Sequence, residues 1–280
     1  MSDEIARGGL SEVAPAKLNL ALHVRRRRDD GYHDIETLFA FCENGDIVAA
    51  RPDDRLSLII TGRFAGALRS TEDNLVLKAA RALGDAAGIA PTGALTLDKR
   101  LPIASGIAGG SADAAATLRA LNRLWGLNCS LDRLASVGAQ LGADVPACVY
   151  SELAHGTGTG ADLERVDDAS WRGRRILLVN PGVSVSTPEI FKAWDGEDRG
   201  RLDICAVDAA FRNDLTGPAI GEAPQVAEVL AWLAGLGGDF VRMSGSGATC
   251  FAIVPDDLDL REALSDAEKR GWWTMDTRLR

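Results

Sequence analysis

The 280-residue sequence has few of the residues on which disulfide-bonded, zinc-binding and nucleic-acid-binding proteins depend. Its five cysteines are widely spaced, odd in number and include no C-x-x-C pair, which argues against a disulfide framework. None of the three histidines lies at metal-ligand spacing from a cysteine or glutamate, so no structural zinc site is expected. The net charge of −9 argues against a nucleic-acid partner, since binding the phosphate backbone requires a basic surface.

Long apolar segments are also lacking. No stretch approaches the roughly 20 residues that a membrane-spanning helix needs. The N-terminal ten residues are acidic and contain no apolar core of a signal peptide. We therefore expect a cytoplasmic protein with no membrane partner. No segment predicts an oligomeric state.

The remaining composition, 46% hydrophobic and 25% charged, is typical of a globular protein with one large domain or two smaller ones. Residues 17–24 alternate as a strand with one buried face. Helical periodicity appears over residues 74–87, 111–125 and 131–141, the second with Ser111 as a suitable N-cap. Further strands are predicted over residues 35–41, 46–51, 55–61, 94–98 and 175–180.

A polar, glycine-rich stretch over residues 156–174 predicts a domain boundary. We accordingly expect an N-terminal domain over residues 1–165 and a C-terminal domain over residues 166–280. The second contains a strand–glycine loop–strand unit between helices, which predicts an α+β domain on a small antiparallel sheet.

The strongest local pattern is LPIASGIAGGSADAAATLRAL, from Leu101 to Leu121, in which a loop of small residues leads into a helix. Small residues let the backbone approach a ligand, and the first N–H groups of a helix attract anions. The loop therefore predicts a phosphate cradle, although a tight connection that needs glycine only for packing would have the same pattern. It is neither a Walker A loop nor a G-x-G-x-x-G dinucleotide motif.

Three further segments carry candidate functional residues. Asp144 follows a helix end and precedes Pro146, where it serves either as a general base or as a helix cap. Lys17 and Asn19 share one strand face, although a lone lysine on a strand is commonly a solvated edge residue. Tyr32 and His33 occupy the next loop, where they suit either a planar heterocycle or simple surface exposure.

Two motifs have alternative interpretations. The segment SGSGATCFAIV, from Ser244 to Val254, predicts either a close approach to a ligand or an ordinary hairpin turn. The basic run Arg25–Arg28 is either a solvated turn or a local attraction for phosphate groups.

In their sequence and their order along the chain, these motifs resemble those of the GHMP kinase superfamily. The resemblance rests on PAKLNL, DGYHDIETLF, LPIASGIAGGSADAA, LGADVP and SGSGA, and runs from about Pro15 to Phe251. It implies an α+β, two-domain fold: an N-terminal domain like ribosomal protein S5 domain 2 and a ferredoxin-like C-terminal domain, with the active site between them. It also implies ATP-dependent phosphorylation of the C2 hydroxyl of a cytidine diphosphate-linked methylerythritol, in non-mevalonate isoprenoid biosynthesis.

The resemblance further implies the role of each residue. Asp144 would be the base and Lys17 would stabilise charge on the reacting oxygens. Asn19, Tyr32, His33, Thr187 and Phe191 would bind the substrate. The ATP-binding residues would be Asn74, Lys99, Pro102, Ile103, Ala104, Ser105, Gly106, Ile107, Ala108, Gly109, Gly110, Ser111 and Ala112.

Kinase chemistry normally requires Mg²⁺, for which the sequence identifies no protein ligand beyond Ser111 and Asp113 as possible neighbours.

One residue departs from the family pattern, because Ala108 occupies the first position of a usual glycine triplet. If that position has a positive φ, alanine costs roughly 1 kcal/mol or more there.

The alternatives to the implied function are another GHMP small-molecule kinase, or a nucleotide or sugar sensor that has lost turnover. An RNA-binding protein with an S5-like fold is disfavoured by the negative charge.

Overall fold

The computed structural model describes residues 9–68, 72–205 and 211–280. These residues form two compact units that are interleaved along the chain. The first unit contains the described residues up to Ala16, with Asn44–Ile103 and Ala108–Ser151. The second contains Lys17–Glu43, Ala104–Ile107 and Glu152–Arg280.

Two long strands explain why these units do not follow chain order. Strands β1 (Leu10–Arg27) and β2 (His33–Arg51) each supply residues to both units. The sequence predicts instead a single division at residue 165. That division stays a prediction about domain boundaries. In the structure, the chain passes from one compact unit to the other near residues 16, 44, 104 and 108.

The first unit combines a short sheet with a layer of helices. Strand β3 (Leu56–Thr61) runs parallel to β4 (Gly93–Asp98), and β4 pairs antiparallel with residues 47–51 of β2. A short 3₁₀ helix covers Ala65–Ala67. The α-helices of this unit are α1 (Leu75–Ala87), α2 (Gly109–Leu124), α3 (Leu131–Gly138) and α4 (Val145–Tyr150).

Helix α2 begins two residues earlier than its periodicity predicts. Its N-cap is Ala108 in a left-handed conformation, so Ser111 lies inside the first turn and does not cap the helix. The helix is rich in alanine, and its alanine side chains are buried from Ala112 to Ala120. Small side chains allow close packing around a helix, which explains how α2 can occupy the centre of this unit.

The second unit is built on a four-stranded antiparallel sheet in the order β10–β7–β9–β8. With the three helices between β7 and β8 taken as one helical segment, the order of elements is βαββαβ, the ferredoxin-like arrangement, and the predicted α+β fold is confirmed. The elements are β7 (Arg175–Asn180), α5 (Thr187–Lys192), α6 (Thr216–Glu222), α7 (Gln225–Gly235), β8 (Asp239–Met243), β9 (Cys250–Ile253), α8 (Arg261–Lys269) and β10 (Trp273–Arg278).

Residues from β1 and β2 complete the second unit. Residues 37–39 of β2 pair with β5 (Ala154–Thr157), which pairs in turn with β6 (Asp162–Arg165). Leu22, Val24 and Ile35 join the apolar core formed by the four-stranded sheet and its helices. The strand predicted over residues 17–24 exists, but both of its faces are buried.

The strands predicted over residues 35–41 and 46–51 form one continuous strand, β2. Gly45 lies between them, and an ideal Cβ there would lie 1.9 Å from the carbonyl oxygen of Ala14. The glycine therefore permits a close approach of two strands and does not mark a turn. Within the described ranges, no helix combines the length and hydropathy that crossing a bilayer requires.

Candidate functional site

The predicted phosphate loop, Pro102–Ala112, has an unusual backbone. Ala104, Gly106 and Ala108 all have left-handed conformations, with φ of 51°, 75° and 50°. Residues with a Cβ adopt the left-handed conformation only at a steric cost, whereas glycine does not. The loop therefore has a defined, partly strained conformation, which is a common feature of ligand-binding segments.

The middle of the loop, residues 104–107, packs against the SGSGA motif of the second unit. Ser244 Oγ donates a hydrogen bond to the Gly106 carbonyl at 2.9 Å, and Thr249 N donates to the Ser105 carbonyl at 3.1 Å. An ideal Cβ on Gly106 would lie 2.4 Å from the Ser244 carbonyl oxygen, so only glycine fits. The glycines of SGSGA thus allow a backbone-to-backbone contact with the loop, which an ordinary hairpin turn would not require.

The last part of the loop forms the N-terminus of α2 in the first unit. Ala108 occupies the N-cap position with a left-handed backbone, and it forms no side-chain cap hydrogen bond. A left-handed residue followed by helical residues turns successive N–H groups toward one side, an arrangement that binds anions. Gly109 and Gly110 keep this end of the helix free of side chains.

Lys99 lies buried beside this helix end. Its Nζ donates to Asp46 Oδ2 at 2.5 Å and to Asp113 Oδ2 at 2.7 Å. The other oxygen of Asp46 accepts the backbone N–H groups of Arg100 and Leu101 at 2.6 and 2.8 Å. We call Asp46, Lys99 and Asp113 the buried charge cluster; it joins β2, the end of β4 and α2 within the first unit.

The protonation of this cluster follows from its burial. Burial raises the pKa of the Asp113 carboxyl to about 8; the Lys99 ammonium lowers that pKa, and Asp46 raises it. Burial lowers the pKa of Lys99, but Asp113 and Asp46 outweigh it and leave that pKa above its ordinary value. Near neutral pH Asp113 is therefore largely protonated and lies beside the Lys99 ammonium.

Asp144 occupies the N-cap position of α4, yet its carboxylate does not cap the helix. Its backbone carbonyl accepts the first helical hydrogen bond, from Cys148 N at 3.1 Å, and Pro146 lies in the first turn. The side chain is half-buried. Its position at the helix end is as expected for a cap, but the carboxylate is not used for capping, and its role as a general base stays a prediction.

Asn74 has a structural contact in addition to its predicted role. Its Oδ1 accepts the backbone N–H of Val76 at 2.9 Å and caps helix α1. Its predicted contact with the adenine end of ATP stays a prediction, as does that of Lys99.

Lys17 is buried in the second unit, so it is not a solvated edge residue. Its ammonium lies 4.3 Å from the centre of the Phe39 ring, and its backbone N–H donates to the Ile107 carbonyl at 3.2 Å. The aromatic face stabilises the cation, and the backbone bond fixes the strand beside the phosphate loop.

Asn19 presents one side-chain oxygen without a partner. The residue is 3% exposed, and its Nδ2 donates to Thr37 Oγ1 at 2.8 Å. Thr37 Oγ1 in turn donates to the Ala21 carbonyl at 2.6 Å, so it can only accept from Asn19. This chain fixes the amide orientation, and Asn19 Oδ1 has no hydrogen-bond partner among the described residues. A buried, unpaired acceptor of this kind suits a hydrogen-bond donor on a ligand.

His33 lies in an aromatic cluster in the second unit. Its ring centre is 5.1 Å from that of Phe191 and 5.8 Å from that of Trp194. The structure thus brings together two predicted substrate residues, His33 and Phe191. Tyr32 is 66% exposed and is available to contact a ligand. Thr187 Oγ1 is hydrogen-bonded to Ser246 Oγ at 2.7 Å, which ties the start of α5 to the SGSGA motif.

The sequence did not predict the residues that support this site. Asp46, Thr37 and Trp194 each contact a predicted site residue, but each lies far from it in sequence. Thr37 is part of the DGYHDIETLF motif, so the motif itself was the available signal. Nothing in the local pattern around Asp46 or Trp194 indicates the contact each makes.

No group of three or more His, Cys, Asp or Glu side chains is placed to hold a metal ion in the described part of the chain.

Comparison with known proteins adds independent information. The model of the GHMP kinases N terminal domain matches residues 74–152, and that of the GHMP kinases C terminal domain matches residues 204–271. The chain is 50% identical, over 96% of its length and 94% of the relative's, to a 4-diphosphocytidyl-2-C-methyl-D-erythritol kinase of Rhizorhabdus wittichii.

Solved structures show the same relationship. The crystal structure of a 4-(cytidine 5′-diphospho)-2C-methyl-D-erythritol kinase superposes with a TM-score of 0.82 at 31% identity, covering 96% of this chain and 99% of that one. The crystal structure of the Methanococcus jannaschii mevalonate kinase superposes with a TM-score of 0.72 at 11% identity, covering 97% of this chain and 98% of that one. The two proteins share the fold. The full-length match at 50% identity and the two matching domain models establish that the chain belongs to the GHMP kinase family.

Proposed function

We propose that this kinase transfers the γ-phosphoryl group of ATP to the C2 hydroxyl of 4-diphosphocytidyl-2-C-methyl-D-erythritol, giving the 2-phosphate and ADP in non-mevalonate isoprenoid synthesis. The observation that carries the proposal is the 50% identity to a kinase of that name over nearly the whole of both chains. The cytoplasmic location expected from the sequence is part of the proposal.

In this proposal the loop Pro102–Ala112 binds the triphosphate. Its support is the left-handed backbone at Ala108, which turns the N–H groups of α2 toward one side. The buried charge cluster contributes indirectly, because an ideal Cβ on Gly109 would lie only 3.0 Å from Lys99 Nζ. The ammonium therefore supports the end of the helix at close range. Asn74 would lie at the adenine end.

Asp144 is the proposed base that accepts the proton of the C2 hydroxyl. The support for this role is the position of Asp144, whose half-buried side chain lies at the start of α4 and does not cap that helix. Lys17 is proposed to stabilise the charge on the reacting oxygens. Phosphoryl transfer depends mainly on alignment and charge stabilisation, so a base, an ammonium and a phosphate loop provide the required chemistry.

The cytidine diphosphate part of the substrate is proposed to contact Asn19, Tyr32 and His33, with Thr187 and Phe191 closing the pocket. Two observations support this assignment: the unpaired Oδ1 of Asn19 and the packing of the His33 ring against the tilted ring of Phe191. Aromatic rings suit a planar base, and an amide oxygen suits a hydroxyl or amino donor.

Magnesium is proposed to arrive with the nucleotide as MgATP. Mg²⁺ in kinases is held largely by the phosphates and water, with one or two protein oxygens. Ser111 lies in the first turn of α2, where its hydroxyl suits such a contact. Asp113 does not suit it, since one of its oxygens binds Lys99 and the group is largely protonated near neutral pH.

The test is ADP release with MgATP and 4-diphosphocytidyl-2-C-methyl-D-erythritol, with mevalonate, homoserine and galactose each assayed separately as control substrates. We expect turnover only with the cytidine substrate. Asp144→Asn should lower kcat by at least about 100-fold, the contribution expected of a general base, while ATP binding is retained.

Other outcomes distinguish the alternatives. Turnover with a control substrate would be consistent with a kinase of this family but would contradict the assignment of Tyr32 and His33 to the cytidine site. Binding of ATP without turnover of any substrate would favour a nucleotide sensor.

A further inference from the structure

The basic run Arg25–Arg28 contains one arginine whose contacts differ from those of its neighbours. Arg25 pairs with Glu36 and Asp198, Arg26 with Asp34, and Arg28 with Asp30 and Asp34. Arg27 instead donates through Nε to His33 Nε2 at 3.3 Å, and through a terminal nitrogen to the Lys192 carbonyl at 3.0 Å. This residue therefore contacts a ring that the proposed function places in the substrate pocket.

The contact determines which ring nitrogen of His33 bears the proton. The Arg27 guanidinium has N–H donors and no hydrogen-bond acceptor. A nitrogen that accepts from it cannot carry a proton, so the proton of a neutral His33 must be on Nδ1. Burial, and then the charge of Arg27, lower the pKa of His33, which keeps the ring neutral.

We infer that Arg27 is a positioning residue that fixes His33 as the Nδ1–H tautomer, so that the ring offers the cytidine base a hydrogen-bond donor. The inference rests on the proposed function for the identity of the ligand.

Three contacts within the second unit support this role. Phe191 and Trp194 pack against His33 and fix the plane of its ring. The Lys192 carbonyl, between those two aromatic residues in sequence, anchors the other end of the guanidinium. Among the hydrogen bonds of the described residues, the His33 ring uses Nε2, so a proton on Nδ1 can be donated to a ligand.

The chemistry of the base matches the donor. Cytosine has two acceptors on its pairing edge, N3 and O2, and a histidine Nδ1–H can donate to either. A histidine of the opposite tautomer would present a lone pair to the same atoms and leave them unsatisfied, which costs binding energy. Arg27 thus acts on substrate binding through His33.

The direct test is the tautomer of His33 in the free enzyme, measured by long-range ¹H–¹⁵N correlation on ¹⁵N-histidine-labelled protein. The chain has only three histidines, and the spectrum of His33→Gln assigns the relevant one. We expect a pyrrole-like Nδ1 and a pyridine-like Nε2 in the wild type. Arg27→Met, which keeps apolar volume and loses all donors, should shift the signals toward the other tautomer.

Steady-state kinetics provide the second measurement. Loss of one neutral hydrogen bond predicts a rise of about three- to tenfold in the KM for the cytidine substrate in Arg27→Met. The KM for ATP and kcat should change less than twofold, which a general folding defect would not reproduce. Arg27→Lys retains a donor-only side chain, so its KM for the cytidine substrate should lie nearer to the wild-type value. Arg26→Met is the matched control, because Arg26 is 71% exposed and pairs with Asp34.

The outcomes separate this inference from the proposed function. A wild-type spectrum with the proton on Nε2, or an Arg27→Met variant with unchanged tautomer and KM, would overturn the role of Arg27. The expected spectrum in an enzyme that does not phosphorylate the cytidine substrate would overturn the proposed function and leave the tautomer assignment standing.

Discussion

At the scale of single residues, Ala108 is the clearest departure from the family pattern and has a measurable cost. Its φ of 50° is the left-handed conformation that glycine adopts without strain. We expect Ala108→Gly to raise the free energy of unfolding by about 1 kcal/mol. Chemical denaturation measures this change. Ala120→Gly, in the buried interior of α2, is the control and should destabilise by at least about 1 kcal/mol. A loss of stability in both variants would contradict the strain at Ala108.

Asp113 predicts a specific dependence of stability on pH. Because its pKa is raised to about 8, the native state holds a proton that the unfolded state releases near pH 4. Its contribution to stability is therefore present at low pH and is lost as pH rises from about 4 to 8, with a slope of at most about 1.4 kcal/mol per pH unit.

Asp113→Asn removes this titration, so the variant should gain stability relative to wild type as pH increases through that window. Urea denaturation at pH 5, 6, 7 and 8 measures the difference. Asp73→Asn, whose side chain is 95% exposed, provides a control with no such trend. A constant difference between Asp113→Asn and wild type across the series would contradict a protonated Asp113.

Thr37 is predicted to act on substrate binding through Asn19. Its hydroxyl accepts from Asn19 Nδ2 and donates to the Ala21 carbonyl, and this fixes the direction of Asn19 Oδ1. Thr37→Val removes the hydroxyl at similar volume and should raise the KM for the cytidine substrate by about three- to tenfold. Thr37→Ser, which keeps the hydroxyl, should restore most of the affinity. Equal KM values for the valine and serine variants would exclude the proposed orientation of Asn19.

At the scale of elements, the contact between residues 104–107 and the SGSGA motif is predicted to maintain the loop. A methyl group on Gly106 would overlap the backbone at Ser244 and Gly247 and would require a left-handed alanine as well. We expect Gly106→Ala to destabilise the protein by about 2 kcal/mol or more and to weaken ATP binding.

Thermal unfolding and a nucleotide-binding titration test this expectation. The matched control is Gly217→Ala in α6, where no atom lies within 4 Å of the added methyl. That variant should be as stable as wild type or up to about 1 kcal/mol more stable. Wild-type nucleotide affinity in Gly106→Ala would show that the contact does not determine the loop conformation.

Most elements could be predicted from local patterns, and the exceptions have physical causes. Strands β4 and β7 and helix α1 follow their predicted bounds to within a residue. Residues 35–41 and 46–51 were predicted as two strands, whereas the structure joins them into β2 through Gly45. Its actual role, close approach to Ala14, depends on a contact between distant segments and leaves no local pattern.

At the scale of the whole molecule, motif order in the sequence was more informative than any single motif. The succession from PAKLNL to SGSGA predicted the GHMP kinase family, which the comparisons confirm. The interleaving of the two compact units was not predicted, because it arises from long strands that supply residues to both. The predicted site residues stay predictions about ligand contacts, with new structural support for Asn19, His33 and Phe191.

The measurement that most directly tests the proposed function is the ³¹P NMR spectrum of the product formed from MgATP and 4-diphosphocytidyl-2-C-methyl-D-erythritol. The C2 carbon of the substrate bears a methyl group and no hydrogen, so a phosphate on its oxygen has no proton three bonds away. We expect one new phosphomonoester signal without proton coupling, formed by the wild type and not by Asp144→Asn. A new signal split by a proton would place the phosphate on another hydroxyl, and no new signal would contradict the activity itself.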